Sequence, residues 1–446
     1  MLPDIFNVIN KARFSGISNV PKVVPTLYQR SVKVFVSELN RIGKPGKRIA
    51  ELHGLPAVAL SSILEEMSHY PALRPSLHLE LSDPVLFTRM FSHEATDRLV
   101  LENCLRKASL IGKPVLPDLA TNYCQMVNGQ DLDENSPRFE SRIVEALKLG
   151  NYLHEAGWFH QSMEVFDITL RLISHVKDVR LHKMLVLDCM QKMLRSEGSA
   201  LLTAEADETC QSLLTLIEDD TDNEILLKIY LEVANHHFKA RRVDESHRWN
   251  SKAMHLVNES TAPETVIEVL QLEALYCFHN KHFENGSLIS SQAIHRARNT
   301  FGHLHRRYAD TLYTYGVCLL KMNAISDAIP ILLELLDIIT KLYGKYTPHV
   351  AIIQSYLAYG FYHRSQTTGR FDMAYDHIQK AIVLANQIMP ERRKIIEHFF
   401  EVRNMILKGR DEDLVAVGEI RATRLSDFQV FTVQEIKDKC AQLNAE

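Results

Sequence analysis

The sequence predicts an all-α protein: a right-handed solenoid of stacked helical hairpins with a helical docking module before it. The main observation is a short recurring pattern. It reads LGNYLHEAGWF at Leu149–Phe159, VANHHF from Val233, EALYCF from Glu273, YGVCLL from Tyr315 and YGFY from Tyr359. Its small residue falls at Gly150, Ala234, Ala274, Gly316 and Gly360, with gaps of 84, 40, 42 and 44 residues. The first gap spans two periods, so a degenerate copy is expected near residue 190. A fixed period of about 42 residues is the mark of helical hairpins that bury their apolar faces only by stacking. The second observation is that each copy holds two amphipathic segments around a short turn. The third is the composition, 46% apolar and 24% charged, ordinary for a folded chain of 446 residues.

Residues 1–25 form an N-terminal segment of ambiguous pattern. A helix is expected to start at Thr26, whose hydroxyl can cap it, and to run through TLYQRSVKVFVSELNRI. GKPGKR, Gly43–Arg48, reads as a loop. PAVALSSILEEM follows as a second helix, with Pro56 suited to its first turn. Tyr70–Pro84 holds Pro71, Pro75 and Pro84 and is expected to be irregular. Helical periodicity returns from about Val85 to Ile111 and is broken at Pro114 and Pro117. Val127–Pro137 reads as a linker that ends a helical module spanning 26–135.

The array then occupies 136–408 as about six hairpins. Its clearest first helix, DTLYTYGVCLLKM, is read as starting at Asp310, with a turn at Asn323–Ile325. The second helix carries Ala328, Leu332 and Leu335 on one face. Phe283, Gly286, Ser290 and Ala293 repeat that face, as do Phe371, Ala374, Ile378 and Ala381, and Phe159, Ser162, Phe166 and Thr169. Pro330 lies in this helix pattern and is expected to be absorbed by the first turn. Residues 409–446 fit no repeat. Within them TVQEIKDKCAQL is expected to form a helix that caps the exposed edge of the array.

Composition narrows the function. A net charge of −4 gives no electrostatic case for nucleic acid or an anionic membrane. No apolar run reaches the length of a signal peptide or a membrane span, so a cytoplasmic protein without membrane insertion is expected. The seven cysteines include no CxxC pair and are read as reduced, with Cys277 and Cys318 as packing residues. His236–His237 and His303–His305 lack a third ligand. No phosphate-binding, zinc-protease or nucleophile-elbow motif occurs. No catalytic residue, metal or cofactor is assigned, and the chain is read as a non-enzyme. Projected around the small residue of each copy, the inner face of the array takes Asn151, His154, Lys228, Asn235, Lys239, Gln271, His279, Tyr313, Lys321, Gln354 and Arg364. Phe278 and Phe361 share that face. A surface rich in cations and amides suits a peptide with a free carboxylate.

The repeats resemble the tetratricopeptide repeat. Their longer period and the tails Phe301–His303 and Tyr343–Lys345 resemble the kinesin light chain type. In the first module Leu27, Ser31 and Phe35, at i, i+4 and i+8, resemble a BC box, the helix by which receptors engage elongin C; Ser31 stands where Cys is preferred. Leu55, Pro56, Ala59 and Ile63 resemble a cullin-2 box. Taken together, Thr26–Leu407 resembles the amyloid protein-binding protein 2 family, most clearly in Leu149–Phe166, Ala309–Leu320 and Gly369–Glu391. The resemblance implies a substrate receptor of a cullin-2 ubiquitin ligase, bridged by elongins B and C and reading the C-terminal peptides of its targets. The alternative it implies is a scaffold for microtubule-dependent transport of amyloid precursor-like membrane cargo, held by its cytoplasmic tail. The location implied is cytoplasmic, extending to the nucleus or to the surfaces of cytoskeleton and membranes. The repeat signal stops near Leu407, whereas the family continues, so a shorter groove is expected.

Overall fold

In a computed structural model, residues 26–42, 46–91, 95–129, 139–218, 221–411 and 430–443 are described. The expectations for 1–25, for most of the 127–137 linker and for 412–429 fall outside them. Twenty α-helices and three short 3-10 turns account for the regular structure of the described residues, with no strand among them. The protein is an all-α helical solenoid.

Helix α1 (Leu27–Ile42) opens with a reciprocal cap. The Gln29 N–H donates to Thr26 Oγ1 at 3.2 Å, and the Thr26 N–H donates to Gln29 Oε1 at 3.0 Å. Helix α2 (Ala57–Ser68) follows Pro56 directly. The expected irregularity of Tyr70–Pro84 is corrected. Pro71 starts a 3-10 turn, Pro75 lies in the first turn of α3 (Arg74–Leu81), and Pro84 opens α4 (Pro84–Phe91). Each proline sits where the missing N–H had no helical partner to lose. Helices α5 (Ala95–Ala108) and α6 (Val115–Asn128) complete the module, with Pro117 inside the first turn of α6.

Six hairpins follow: α7 (Phe139–Glu155) with α8 (Phe159–Ile173), α9 (Val179–Ala200) with α10 (Thr203–Thr215), α11 (Asn223–Lys239) with α12 (Val243–Leu256), α13 (Pro263–His279) with α14 (Phe283–Phe301), α15 (Arg306–Lys321) with α16 (Ile325–Tyr343), and α17 (Pro348–Thr368) with α18 (Asp372–Ile388). Helix α15 starts four residues before the expected Asp310, because the His305 side chain caps it by accepting from the Arg307 N–H. Helix α16 runs unbroken through Pro330, well past its first turn. Close approach explains the small residues. A Cβ on Gly150 would lie 2.4 Å from the Phe166 ring, and one on Gly316 would lie 3.0 Å from Leu332. The degenerate copy is α9, where Leu194 takes the place of the small residue and is buried.

Each hairpin turns on one left-handed residue: Gly157, Leu201, Arg241, Lys281, Asn323 and Gly369, all with φ between 60° and 91°. In the first five the next N–H closes a six-residue loop, as from Trp158 to Leu153 O at 2.9 Å and from Ala324 to Leu319 O at 2.9 Å.

The array closes on itself. Helix α16 packs against α5, and Arg106 Nη1 donates to Lys341 O at 3.5 Å, 235 residues away. Gln387 Nε2 donates to Gly112 O at 2.6 Å, 275 residues away. At this seam Tyr152 meets Tyr343 (ring centroids 6.2 Å), Phe159 meets His349 (5.7 Å), and the Arg392 guanidinium lies 5.2 Å over the Phe159 ring. One apolar core therefore holds residues of α1–α8 together with those of α17–α19. Helix α19 (Arg393–Asp411) packs on α18 and presents Glu397, His398 and Glu401 outward. Helix α20 (Val433–Leu443) forms as expected but does not cap that edge. Its Ile436 and Cys440 are buried in the core of the middle hairpins, and Lys437 Nζ donates to Val257 O.

Candidate functional site: the inner face of the array

Closure of the array brings the inner faces of its first helices together. Arg195 of α9 is the centre. Its Nε donates to Glu232 Oε1 of α11 at 2.6 Å, and its Nη2 reaches both oxygens of Glu268 of α13 at 3.1 and 3.2 Å. Arg307 of α15 also pairs with Glu268, and Arg306 Nη2 pairs with Asp310 Oδ1 at 2.8 Å. Burial alone would raise the Glu268 carboxyl; Arg195 and Arg307 more than offset this and hold it below the ordinary 4.5.

Lys239, near the end of α11, has a side chain open to water and no carboxylate partner among the described residues. Its ammonium donates to Ser199 Oγ at 2.9 Å. Partial loss of hydration inside the ring of helices lowers its pKa to about 8; Arg195 adds to this, and Glu232, Asp310 and Glu268 oppose it. His154 Nδ1 lies 3.0 Å from Ser196 Oγ. Burial, then Arg195, Lys239, Arg306 and His349, hold the imidazole well below 6.5 and so neutral at pH 7. Tyr313 and Tyr356 meet edge to face at 5.8 Å, their hydroxyls 3.5 Å apart. Gln271 Nε2 donates to Thr314 Oγ1 at 3.1 Å and ties α13 to α15.

Of the residues projected onto this face, His154, Lys239, Gln271 and Tyr313 line the inner wall, and Asn151 steadies Glu155 beside it at 2.9 Å. Lys228 pairs with Glu224 along its own helix, and Gln354 Oε1 bonds His377 inside the last hairpin at 2.5 Å. Asn235 is half-buried, and His279, Lys321 and Arg364 are exposed. Two acids of the wall fall in the same register; Glu232, two residues before Ala234, does not. Glu268 and Asp310 stand six residues before their copies' small residues, as Lys228 and Gln354 do. Arg195 was missed because its copy carries Leu194; counted from there, it falls one residue on, as Asn151 and Asn235 do.

In the first module Leu27 is 82% exposed and Val34 63% exposed. Ser31 lies between them, its Oγ turned back to Leu27 O at 2.9 Å. Phe35 packs instead against the core beside Val36, so the open face of α1 runs Leu27–Ser31–Val34. On α2, Ile63 is buried and Ala59 half-buried; just before the helix, Leu55 is half-buried and Pro56 exposed. The Cys277 and Cys318 thiols are buried and pushed up to about 12 by that burial, unsuited to nucleophilic work. No group of three His, Cys, Asp or Glu side chains among the described residues could hold a metal ion, and no described helix is long and apolar enough to cross a membrane.

No family model matches the chain. It is similar to amyloid protein-binding protein 2 of Rattus norvegicus and of Mus musculus, 27% identical to each over 272 residues. The match covers 60% of this chain and 46% of each relative. The chain thus spans about half the length of the curated relatives it matches. Both are distant relatives, and they bear out the resemblance read from the repeat motifs.

Proposed function

We propose that this helical-repeat protein is a non-catalytic adaptor that presents target proteins to a cullin-2 ubiquitin ligase through elongins B and C. The observation that carries the reading is the open face of α1. Leu27 and Val34 stand in water on a capped helix whose other side is anchored by Val36 to the core. A large aliphatic side chain is worth about 1.5–3 kcal/mol when buried, so a partner that covers both gains what the isolated chain forgoes. Elongin C is the proposed partner on this face, with Leu55, Pro56, Ala59 and Ile63 as the proposed approach of cullin-2. The inner wall is the proposed reader of targets. Lys239, without a carboxylate partner among the described residues, is the proposed anchor for the terminal carboxylate of a target peptide, with Asn235 one turn before it on α11 and Tyr313 as further proposed contacts.

Leu27→Asp tests the docking face without touching the core. Elongin B/C should co-purify with the wild type and be lost from the variant. Equal recovery from both, or none from the wild type, would sink the ligase reading. The alternative is a scaffold for microtubule-dependent transport of amyloid precursor-like cargo; the printed name of the two relatives, amyloid protein-binding protein 2, bears on the cargo alone. Co-sedimentation with microtubules that survives Leu27→Asp would support that alternative.

A further inference from the structure

Three successive first helices end on a basic residue. Lys239 closes α11, His279 closes α13 and Lys321 closes α15. Two residues beyond the first two ends, at the left-handed residue of each turn, stand Arg241 and Lys281. All five side chains are exposed. Among the described residues, none of Lys239, Arg241, Lys281 and Lys321 pairs with a carboxylate. By contrast, Arg195, Arg306 and Arg307 of the wall all pair with acids.

These ends stand side by side. Helix α13 packs against both α11 and α15. Lys239 Nζ donates to Ser199 Oγ at 2.9 Å, and the two residues hold the same place in their copies, five after Ala234 and five after Leu194. A cation suits the C-terminal end of any helix. Yet α7 closes on Glu155 and α9 on Ala200, so the basic rim belongs to the later hairpins and not to every copy. The acids nearest in sequence, Asp244, Glu245, Glu284 and Asp327, open the second helices, across each turn from the inner wall. The rim is thus a row of positive charge with no acid of its own, and its complement is an acidic chain laid along it.

We propose that this rim selects targets that carry acidic residues upstream of their terminal carboxylate, an inference that rests on Lys239 as the anchor of that carboxylate. Packed helices lie about 9 Å apart and an extended chain advances about 3.3 Å per residue, so a peptide leaving Lys239 passes the end of α13 after about three residues and the end of α15 after about six. An aspartate or glutamate at the first of these places meets Lys281, and one at the second meets Lys321.

The test uses the full chain and short fluorescein-labelled peptides of Gly, Ser and Ala. One carries Glu three and six residues before its last residue, the other carries Gln at both places, and each is also made with an amidated C-terminus. By fluorescence anisotropy at low ionic strength, the Glu peptide should bind about fivefold more tightly than the Gln peptide. The advantage should fade in about 0.5 M salt. Lys281→Gln combined with Lys321→Gln should abolish the advantage, and circular dichroism checks that the array stays folded. Equal binding of the Glu and Gln peptides, with both weakened by amidation, overturns the rim and leaves Lys239 as the anchor. An advantage that persists in the double variant overturns the rim as well. No binding of any peptide, or amidation without effect, overturns the anchor and the spacing built on it.

Discussion

Arg195 offers the most direct test of how the inner wall is held. Its side chain is 20% exposed, and the Glu232 it grips is 1% exposed with one oxygen that has no other partner. Replacing Arg195 by Met keeps the apolar stem and removes the guanidinium. Glu268 keeps Arg307. Glu232 keeps nothing and becomes a buried, unpaired carboxylate, which costs about 3–5 kcal/mol. Glu232→Gln is milder, about 1–3 kcal/mol, because Arg195 retains Glu268 and the amide oxygen still accepts. The double variant has no orphaned charge, so it should be no less stable than Arg195→Met alone, leaving a coupling energy of about 1–3 kcal/mol. Urea unfolding followed by far-ultraviolet circular dichroism at pH 7 measures all four corners of the cycle. The loss in Arg195→Met should also shrink as the pH falls, since protonation removes the stranded charge. If the two single losses simply add, or if the loss is the same at low pH, the assignment of the ion pair as the support of the wall is refuted.

Three other substitutions probe separate features. Burial pushes the Glu197 carboxyl up to about 7, with Asp167, Glu205 and Glu208 adding to it and the Thr209 hydroxyl opposing. A raised carboxyl favours the folded state fully below its ordinary 4.5, and that contribution is lost as the pH rises to about 7. Glu197→Gln should therefore match the wild type near pH 4 and exceed it by up to about 3 kcal/mol at pH 8, read from urea melts. Leu201 is 65% exposed in a left-handed turn, and Leu201→Gly should stabilise the chain by about 0.5–1 kcal/mol, the relief of strain less the entropy of glycine. Gly157 has φ +91° and faces the His349 ring, 2.8 Å from where a Cβ would stand. Gly157→Ala should loosen the seam by about 1–3 kcal/mol and shift Trp158 fluorescence to the red, and an unchanged emission would mean the seam had not moved.

The repeat was legible because its small residues answer a steric demand that no other residue type meets. Gly150 sits against Phe166 and Gly316 against Leu332, and each leaves a mark in the sequence. Thr347 caps α17, its Oγ1 accepting from the Val350 N–H, as locally as Thr26 caps α1, yet only Thr26 stood out in the sequence. The prolines of Tyr70–Pro84 misled because proline breaks a helix in its interior yet starts one at its end, and sequence spacing alone did not tell the two apart. On the inner wall, the pattern of single helices pointed to Lys239 but not to the arginine–glutamate network around it. Arg195, Glu232, Glu268 and Arg307 lie on four helices, and only the curvature of the whole array brings them together. The seam had no signal at all, because its contacts join residues from 190 positions apart (Phe159 and His349) to 275 (Gly112 and Gln387) and repeat nowhere.

That seam alters how the protein assembles. An open solenoid frays from its ends and can gain or lose a hairpin at little cost, since each repeat touches only its neighbours. Here the first hairpin and the last serve as each other's cap, through Phe159, His349 and Arg392. Deleting one interior hairpin would therefore strain every remaining interface to bring the ends together. The Arg106–Lys341 and Gln387–Gly112 contacts join residues 235 and 275 positions apart, and such pairings form late because their entropy is spent before they return any energy. Refolding should end in a slow step at the seam, after the hairpins have formed one by one.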